Sequence, residues 1–218
     1  MSVRTRRKND VTRNRILKAS VDVFAEKGYR DATVQDICRK ARANIAAVNY
    51  YFGSKEHLYA EALRLAFRRS LEAHPIDGGV SPSAPPEDRL RGSIEATVQR
   101  MLDPEGREFD ILHKEMANPT GLVSEIVRES VEPIRERMRS IVREIIGPRA
   151  TEEQVALCQS SIMAQCMHLM MPERRHVRPP GPPPHVHVSP ETAARHIYAF
   201  SLAGIREVGG RIGAGPAA

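Results

Sequence analysis

Two apolar periods, each barely two turns long, flank a three-residue gap between Thr33 and Phe52, and no other feature restricts the fold as strongly. Val34, Ile37, Cys38 and Ala41 recur at i, i+3, i+4 and i+7, the spacing of one helical face. Thr33 with Asp36 three residues on has the form of a capping box. Asn44 is placed to cap a second short helix that turns Val48 and Phe52 inward. Helices this short bury too little surface to stand alone, so they need an apolar floor from neighbouring segments. Upstream, Ile16, Ala19, Val23 and Phe24, with Leu17 and Val21 beside them, keep a 3.6-residue period between a cap at Asp10 or Thr12 and a stop at Gly28. Downstream, Ser54 caps a helix from Lys55 towards Arg69. Phe24, Ile37, Val48, Phe52 and Leu58 are therefore the expected floor. The outer face of the third helix, with Ile45, Ala46, Ala47, Asn49 and Tyr50, is left exposed.

Beyond this head the composition changes. Residues 74–87 include Pro75, Gly78, Gly79, Pro82, Pro85 and Pro86 and read as a linker or surface loop. Long helical periods follow over 88–102, 107–117, 122–146, 152–171 and 191–212, with Pro133 expected to kink the longest. Residues 172–190 hold seven of the chain's 16 prolines and predict an extended excursion. No period-2 strand pattern competes. The expected fold is all-α with about nine helices: a three-helix head over residues 1–60, and a larger helical bundle over 61–218.

Charge is distributed as unevenly as structure. Residues 1–60 carry 13 Lys+Arg against 6 Asp+Glu, a balance of +7, so the remainder holds −1 of the chain's net +6. A basic head on a neutral body points to a polyanionic partner at one end only. Arg4, Arg6, Arg7 and Lys8 form either an arm reaching that partner or a basic tail.

Several function classes have no support. Gly-rich phosphate loops, a nucleophile elbow and HExxH are absent, so neither an enzyme nor a cofactor is expected. The three cysteines, Cys38, Cys158 and Cys166, lie in apolar helical patterns, which argues against a disulfide framework. No stretch has the order of a signal peptide or the length of a membrane span, so the expected setting is the cytoplasm, without a membrane partner. A metal-responsive sensor is an alternative prompted by Cys158, Cys166, His168, His176, His185 and His187. Their spacing is poor for ligation, because Cys166 and His168 stand about 200° apart on a helix, and no metal site is expected. A helical interaction protein with a vestigial head is the other alternative.

Residues 32–59, ATVQDICRKARANIAAVNYYFGSKEHLY, resemble the DNA-binding domain of the TetR/AcrR family of transcriptional regulators, and with the preceding helix the resemblance covers about residues 13–65. It implies a regulator, usually a repressor, that binds palindromic operator DNA as a homodimer, at the nucleoid, and is released by a small effector. It assigns phosphate anchoring to Thr33 and Asn44, where helix N-termini favour an anion, and further backbone contacts to Tyr51 and Lys55. Asn49 is the leading base reader, since a carboxamide can bond N7 and N6 of adenine together, while Ile45 and Ala46 suit thymine methyls. Ala47 and Tyr50 complete the face. Two departures from the family pattern stand out. Arg42 occupies the turn position where most members have glycine, and Asn49 replaces a common tyrosine.

Past residue 74 the resemblance narrows to the CecR-like subgroup, carried by HKEMANPTG at 113–121, EPIRERMRSIVREIIG at 132–147, SIMAQCMHL at 161–169 and FSLAGIR at 200–206. It implies dimerisation through the last two helices and an effector pocket among the central ones. Ala199, Ser201, Ala203 and Gly204 are small enough to let helices approach closely. Met101, Phe109, Leu112, Met116, Met163, Cys166, Met167 and Met170 are the candidate lining for a mostly apolar effector, with His113, Gln165 or His168 giving polar direction.

Overall fold

The computed structural model describes residues 3–173 and 188–214, with side chains over 10–169 and 188–211. Among these residues the chain forms helices and turns and no strand. The helices are α1 (Val3–Asp31), α2 (Val34–Ala41), α3 (Ile45–Phe52), α4 (Lys55–Ala73), α5 (Pro86–Leu102), α6 (Glu108–Ala117), α7 (Ser124–Ile146), α8 (Glu152–Glu173) and α9 (Pro190–Ala214). The expected all-α architecture is the one observed, and the differences lie at element ends.

α1 begins at Val3, well before the expected cap at Asp10 or Thr12. Residues 3–9 contain neither Gly nor Pro and are rich in Arg and Lys, which sustain a helix. Its regular course ends where expected, at Gly28, whose φ of 76° and ψ of 174° leave the helical region before a last turn reaches Asp31. A side chain at Gly28 would be strained by that φ, and its Cβ would come within 3.3 Å of Cβ of Lys114. α7 runs through Pro133 as one helix. α8 continues through Pro172 to Glu173, and α9 opens on Pro190, whose missing N–H costs nothing in a first turn. Residues 174–187, with His176, His185 and His187, lie outside the described residues. No described helix is long and apolar enough to cross a membrane.

The chain forms two compact units. The first joins residues 1–70 to 105–130, the second residues 71–104 to 131–218. They do not part at residue 60, because α1 and α4 in the first unit hold α6 beside them. The floor expected beneath the short helices is present, with Ile16, Phe24, Ile37 and Leu58 fully buried and Val48 and Phe52 almost so. Phe24 meets Tyr59 edge to face at 4.8 Å between ring centres, and Tyr29 leans on Tyr59 at 5.1 Å. The buried Tyr59 hydroxyl donates to Oε2 of Glu115 on α6 at 3.1 Å. The other oxygen of Glu115 accepts from Thr120, from its N–H at 2.7 Å and its hydroxyl at 2.8 Å. One carboxyl group thereby ties α4, α6 and the loop beyond α6 together.

In the second unit α5, α8 and α9 pack on one another, with the remainder of α7 completing the bundle. Leu90, Ile94 and Val98 of α5, Val155, Ile162 and Cys166 of α8, and Ala193, Ala194, Ile197 and Ile205 of α9 are buried. Arg89 of α5 pairs with Glu144 of α7, and the Gln159 amide donates to the Arg135 carbonyl at 2.8 Å. The loop before α5 lies close on it. A Cβ on Gly78 would fall 2.4 Å from the Gly92 carbonyl oxygen, so only glycine fits there.

Tyr59→Phe, which keeps the ring and removes the hydroxyl bonded to Oε2 of Glu115, should destabilise the first unit by about 1–3 kcal/mol. Urea unfolding with hydrogen-exchange readout over α4 and α6 checks it, and an unchanged exchange pattern would contradict the structural role given to this bond.

Candidate nucleic-acid interface

The polar ends of the short helices are built as the spacing predicts. Thr33 caps α2: its hydroxyl oxygen accepts from the Asp36 N–H at 3.1 Å, and its own N–H donates to Oδ2 of Asp36 at 3.2 Å. Lys27 reinforces the box from α1, 2.8 Å from the same carboxylate. Its hydrogen bond, followed by those of Thr33, holds the Asp36 carboxyl at a pKa of about 2. Asn44 caps α3, its Oδ1 accepting from the Ala47 N–H at 2.8 Å. α4 follows Gly53 (φ 73°), with the Ser54 hydroxyl accepting from the His57 N–H at 3.2 Å.

Between these helices the chain turns on Arg42, Ala43 and Asn44. Arg42 has φ 48° and ψ 49°, and no other non-glycine residue described has a positive φ. Left-handed backbone costs a residue with a Cβ about 1–2 kcal/mol, so the arginine sits where glycine would be more stable. The Arg42 N–H donates to the Arg39 carbonyl at 3.3 Å and the Ala43 N–H to that of Cys38 at 3.0 Å, which closes α2.

α3 then projects from the floor with one face in solvent. Ile45, Ala46, Asn49 and Tyr50 are exposed, Tyr50 by 73%, while Val48 and Phe52 are buried beneath them. Ala47 is half-buried, slightly further inward than the expected reading face. Tyr51 is also half-buried and meets the Tyr50 ring edge-on at 5.0 Å. Lys55 sits with its ammonium 4.4 Å from the centre of the Tyr29 ring, and burial draws its pKa below the ordinary lysine value. Tyr29 donates to Oε1 of Glu56 at 2.6 Å, a bond that is the main reason the Glu56 carboxyl falls to about 2. Neither Tyr29 nor Arg15, whose guanidinium reaches the Arg42 carbonyl at 3.1 Å, stands out in the sequence. Each meets a partner 27 residues away, and no local pattern marks such a pair.

The effector candidates are dispersed. Phe109, Leu112, His113 and Met116 belong to the first unit, and the other described candidates to the second. Met101 and Cys166 are buried, and burial pushes the Cys166 thiol up to about 12. Phe109, Leu112, Met163 and Gln165 are half-buried, and the Gln165 amide is bonded to the Ser201 hydroxyl at 3.1 Å and to the Ser161 carbonyl at 3.2 Å. Met116, Met167, His113 and His168 are exposed, and the Met170 side chain lies outside the described residues. No cluster of three His, Cys, Asp or Glu able to hold a metal occurs among the described residues.

A capped two-turn helix, a tight turn and a second capped helix standing clear of a buried floor define a helix-turn-helix DNA-binding regulator. Residues 16–62 match the model of the bacterial regulatory proteins of the tetR family, and residues 86–205 that of the C-terminal domain of the transcriptional dual regulator CecR. The chain belongs to the TetR family of DNA-binding transcriptional regulators and carries a CecR-type C-terminal domain. The transcriptional repressor NicS of Pseudomonas putida is 43% identical over 54 residues, 25% of this chain and 26% of that protein, so the chain matches about a quarter of its length. The dual regulator CecR of Shigella flexneri is 22% identical over 170 residues, 73% of this chain and 76% of its own. The crystal structure of a TetR-like regulator from Rhodococcus sp. RHA1 superposes with a TM-score of 0.67 at 18% identity, covering 89% of this chain and 96% of that one.

Asp36 and Glu56 both have folded pKa values near 2, below their ordinary 3.8 and 4.5. Depressed carboxyl groups contribute stability above the unfolded values and lose it as pH falls through the folded ones. The melting temperature of the head should therefore fall between pH 4.5 and about 2. Asp36→Asn and Glu56→Gln should each flatten that dependence, and superimposable pH profiles for the variants and the wild type would contradict the assignment.

Proposed function

We propose that this regulator is a repressor that binds a palindromic operator as a homodimer and leaves it when a small effector occupies the second unit. The observation that carries the DNA-reading part is the exposed face of α3. Ile45, Ala46, Ala47, Asn49 and Tyr50 lie on the helix that Asn44 caps, with the Thr33-capped end of α2 nearby in sequence. Thr33 and Asn44 anchor backbone phosphates, which is compatible with their capping bonds because the remaining N–H groups of each first turn stay available. Tyr51, Lys55 and Arg42 add backbone contacts. Asn49 reads adenine, while Ile45 and Ala46 meet thymine methyls, so most of the discrimination is apolar or carboxamide-borne. The name of NicS supports repression as the mode.

A dimer follows from the size of this face. One two-turn helix reaches too few base pairs for useful specificity, whereas two heads on a twofold read half-sites about 34–36 Å apart or a multiple of that. The proposed contact is the outer surface of α8 and α9. Leu157 (60% exposed), Met167 and Phe200 (65% exposed) stand there among Ala156, Ala164, Ala199, Ala203 and Gly204, an apolar and small-residue surface of the kind that marks an interface. Met167 thereby belongs to this surface more naturally than to a pocket.

The effector is mostly apolar, with Met101, Met163 and Cys166 of the second unit as the central lining and Gln165 or His168 giving polar direction. Ser93 Oγ and the Nε and Nη2 atoms of Arg137 are buried without a hydrogen-bond partner in the second unit. An acceptor group on the effector would meet that need, since unsatisfied buried donors are costly. Effector binding shifts the dimer away from the operator only through its greater affinity for the form that misfits DNA. The protein acts in the cytoplasm, at the nucleoid when bound.

Selection of genomic fragments by the purified protein tests the reading, with a recurrent palindrome expected and failure to enrich any sequence counting against it. Asn49→Ala should relax the preference at one base pair per half-site, worth about 1–3 kcal/mol, and leave the others intact. Phe200→Glu should yield a folded monomer by sedimentation with greatly weakened operator binding; a variant that stays dimeric would rule out this face.

A further inference from the structure

We infer that Arg15 and Arg42 form a two-arginine clamp for a DNA backbone phosphate beside the reading helix; the inference rests on the DNA-reading face proposed above. Four other cations of the head are neutralised in place, while Arg30 is bonded to the Pro119 carbonyl and Lys55 lies over the Tyr29 ring. Arg13 pairs with Glu61 at 3.3 Å, Lys27 with Asp36 at 2.8 Å, Arg39 with Asp36 at 3.3 Å, and Lys40 with Asp22 and Glu26 at 3.3 and 3.2 Å. Arg15 and Arg42 meet no carboxylate among the described residues, although both are exposed. Arg15 of α1 instead donates from Nη2 to the Arg42 carbonyl at 3.1 Å, and so brings a second positive charge to the turn that already bears one.

Two features of this arrangement oppose stability. Like charges held at one turn repel, and the turn residue is an arginine in left-handed backbone, where glycine carries no Cβ penalty. Among the described residues the fold draws nothing from the Arg42 guanidinium in return, for its backbone N–H and carbonyl are the groups engaged. A ligand that gains from both charges supplies the missing benefit. Arg42 stands two residues before Asn44, the cap of the helix whose face reads DNA, which puts the pair at the margin of that face. The polyanion available at that margin is the sugar–phosphate backbone. Guanidinium groups suit it because their forked N–H donors match phosphate oxygens. Arg15 acts twice, as a charge and as the positioning residue that fixes the strained turn.

The clamp is independent of base sequence, so it predicts a particular pattern of loss. Binding of the full-length protein to a short random-sequence duplex and to a duplex enriched from a random pool is measured by anisotropy between about 50 and 200 mM salt. Arg42→Gly and Arg15→Ala should weaken binding to both duplexes by the same factor, and reduce the slope of log affinity against log salt by about one per head. Arg42→Lys, which keeps the charge, should retain the slope. The melting temperature of Arg42→Gly should not fall, which separates lost contact from lost fold. An unchanged slope in Arg42→Gly overturns the clamp, as does a loss confined to the enriched duplex, which would make Arg42 a base reader. Wild-type protein that binds neither duplex would instead overturn the DNA-reading face itself and the clamp with it.

Discussion

The edge-to-face contact of Phe24 with Tyr59 is the joint on which the DNA-binding head depends. α2 and α3 have two turns each and no core of their own, so they are stable only as far as α1 and α4 present a fixed apolar surface beneath Ile37, Val48 and Phe52. Phe24 belongs to α1 and Tyr59 to α4, and their rings set the distance between those helices. Tyr59 then extends the joint through its hydroxyl to Glu115, which accepts three hydrogen bonds in all and brings α6 into the same unit. A buried carboxyl is costly unless fully bonded, and this one is met by Tyr59 and Thr120 from two sides. The compact unit therefore includes a part of the chain that begins more than thirty residues beyond α4.

That extension explains what could be read from the sequence and what could not. The capping box at Thr33, the cap at Asn44, the periods of 3.6 in the head and the inward set of Phe24, Ile37, Val48, Phe52 and Leu58 are local patterns, each decided within a few residues, and each has the structure it implies. The attachment of α6 is not local. Glu115 lies in a helix whose alternation of apolar and charged residues says only that one face is inward, and nothing in Tyr59 shows that its hydroxyl has a buried partner 56 residues away. The start of α1 is a milder case. Asp10 and Thr12 are good caps, but a cap residue ends a helix only where continuing it is unfavourable, and residues 3–9 make continuing easy.

The methionine-rich helices show a different limit. Periodicity locates the buried face of a helix when the opposite face is polar, as on α2. α8 is apolar around much of its circumference: Val155, Ile162 and Cys166 face the bundle while Leu157 and Met167 face out. Its sequence therefore could not separate pocket from surface, and the candidate lining mixes buried with exposed residues. The exposed portion nevertheless carries information, because isolated chains gain nothing from Leu157 and Phe200 in water.

On the proposed reading, affinity and selectivity fall to separate parts of the head. α3 presents Ile45, Ala46, Asn49 and Tyr50, a face without a formal charge, and such a face can distinguish base edges but attracts DNA only weakly from a distance. The positive charge lies around it, and much of that charge is already spent on Asp22, Glu26, Asp36 and Glu61 within the fold. Internal pairing of this kind keeps the cations of the head in fixed places and lowers their mutual repulsion. Arg42 and Arg15 depart from it together, and the departure falls at the turn where the backbone is least comfortable. A turn that favoured stability alone would have glycine at 42 and a carboxylate near 15; this one keeps both guanidinium groups exposed at the turn that leads into α3.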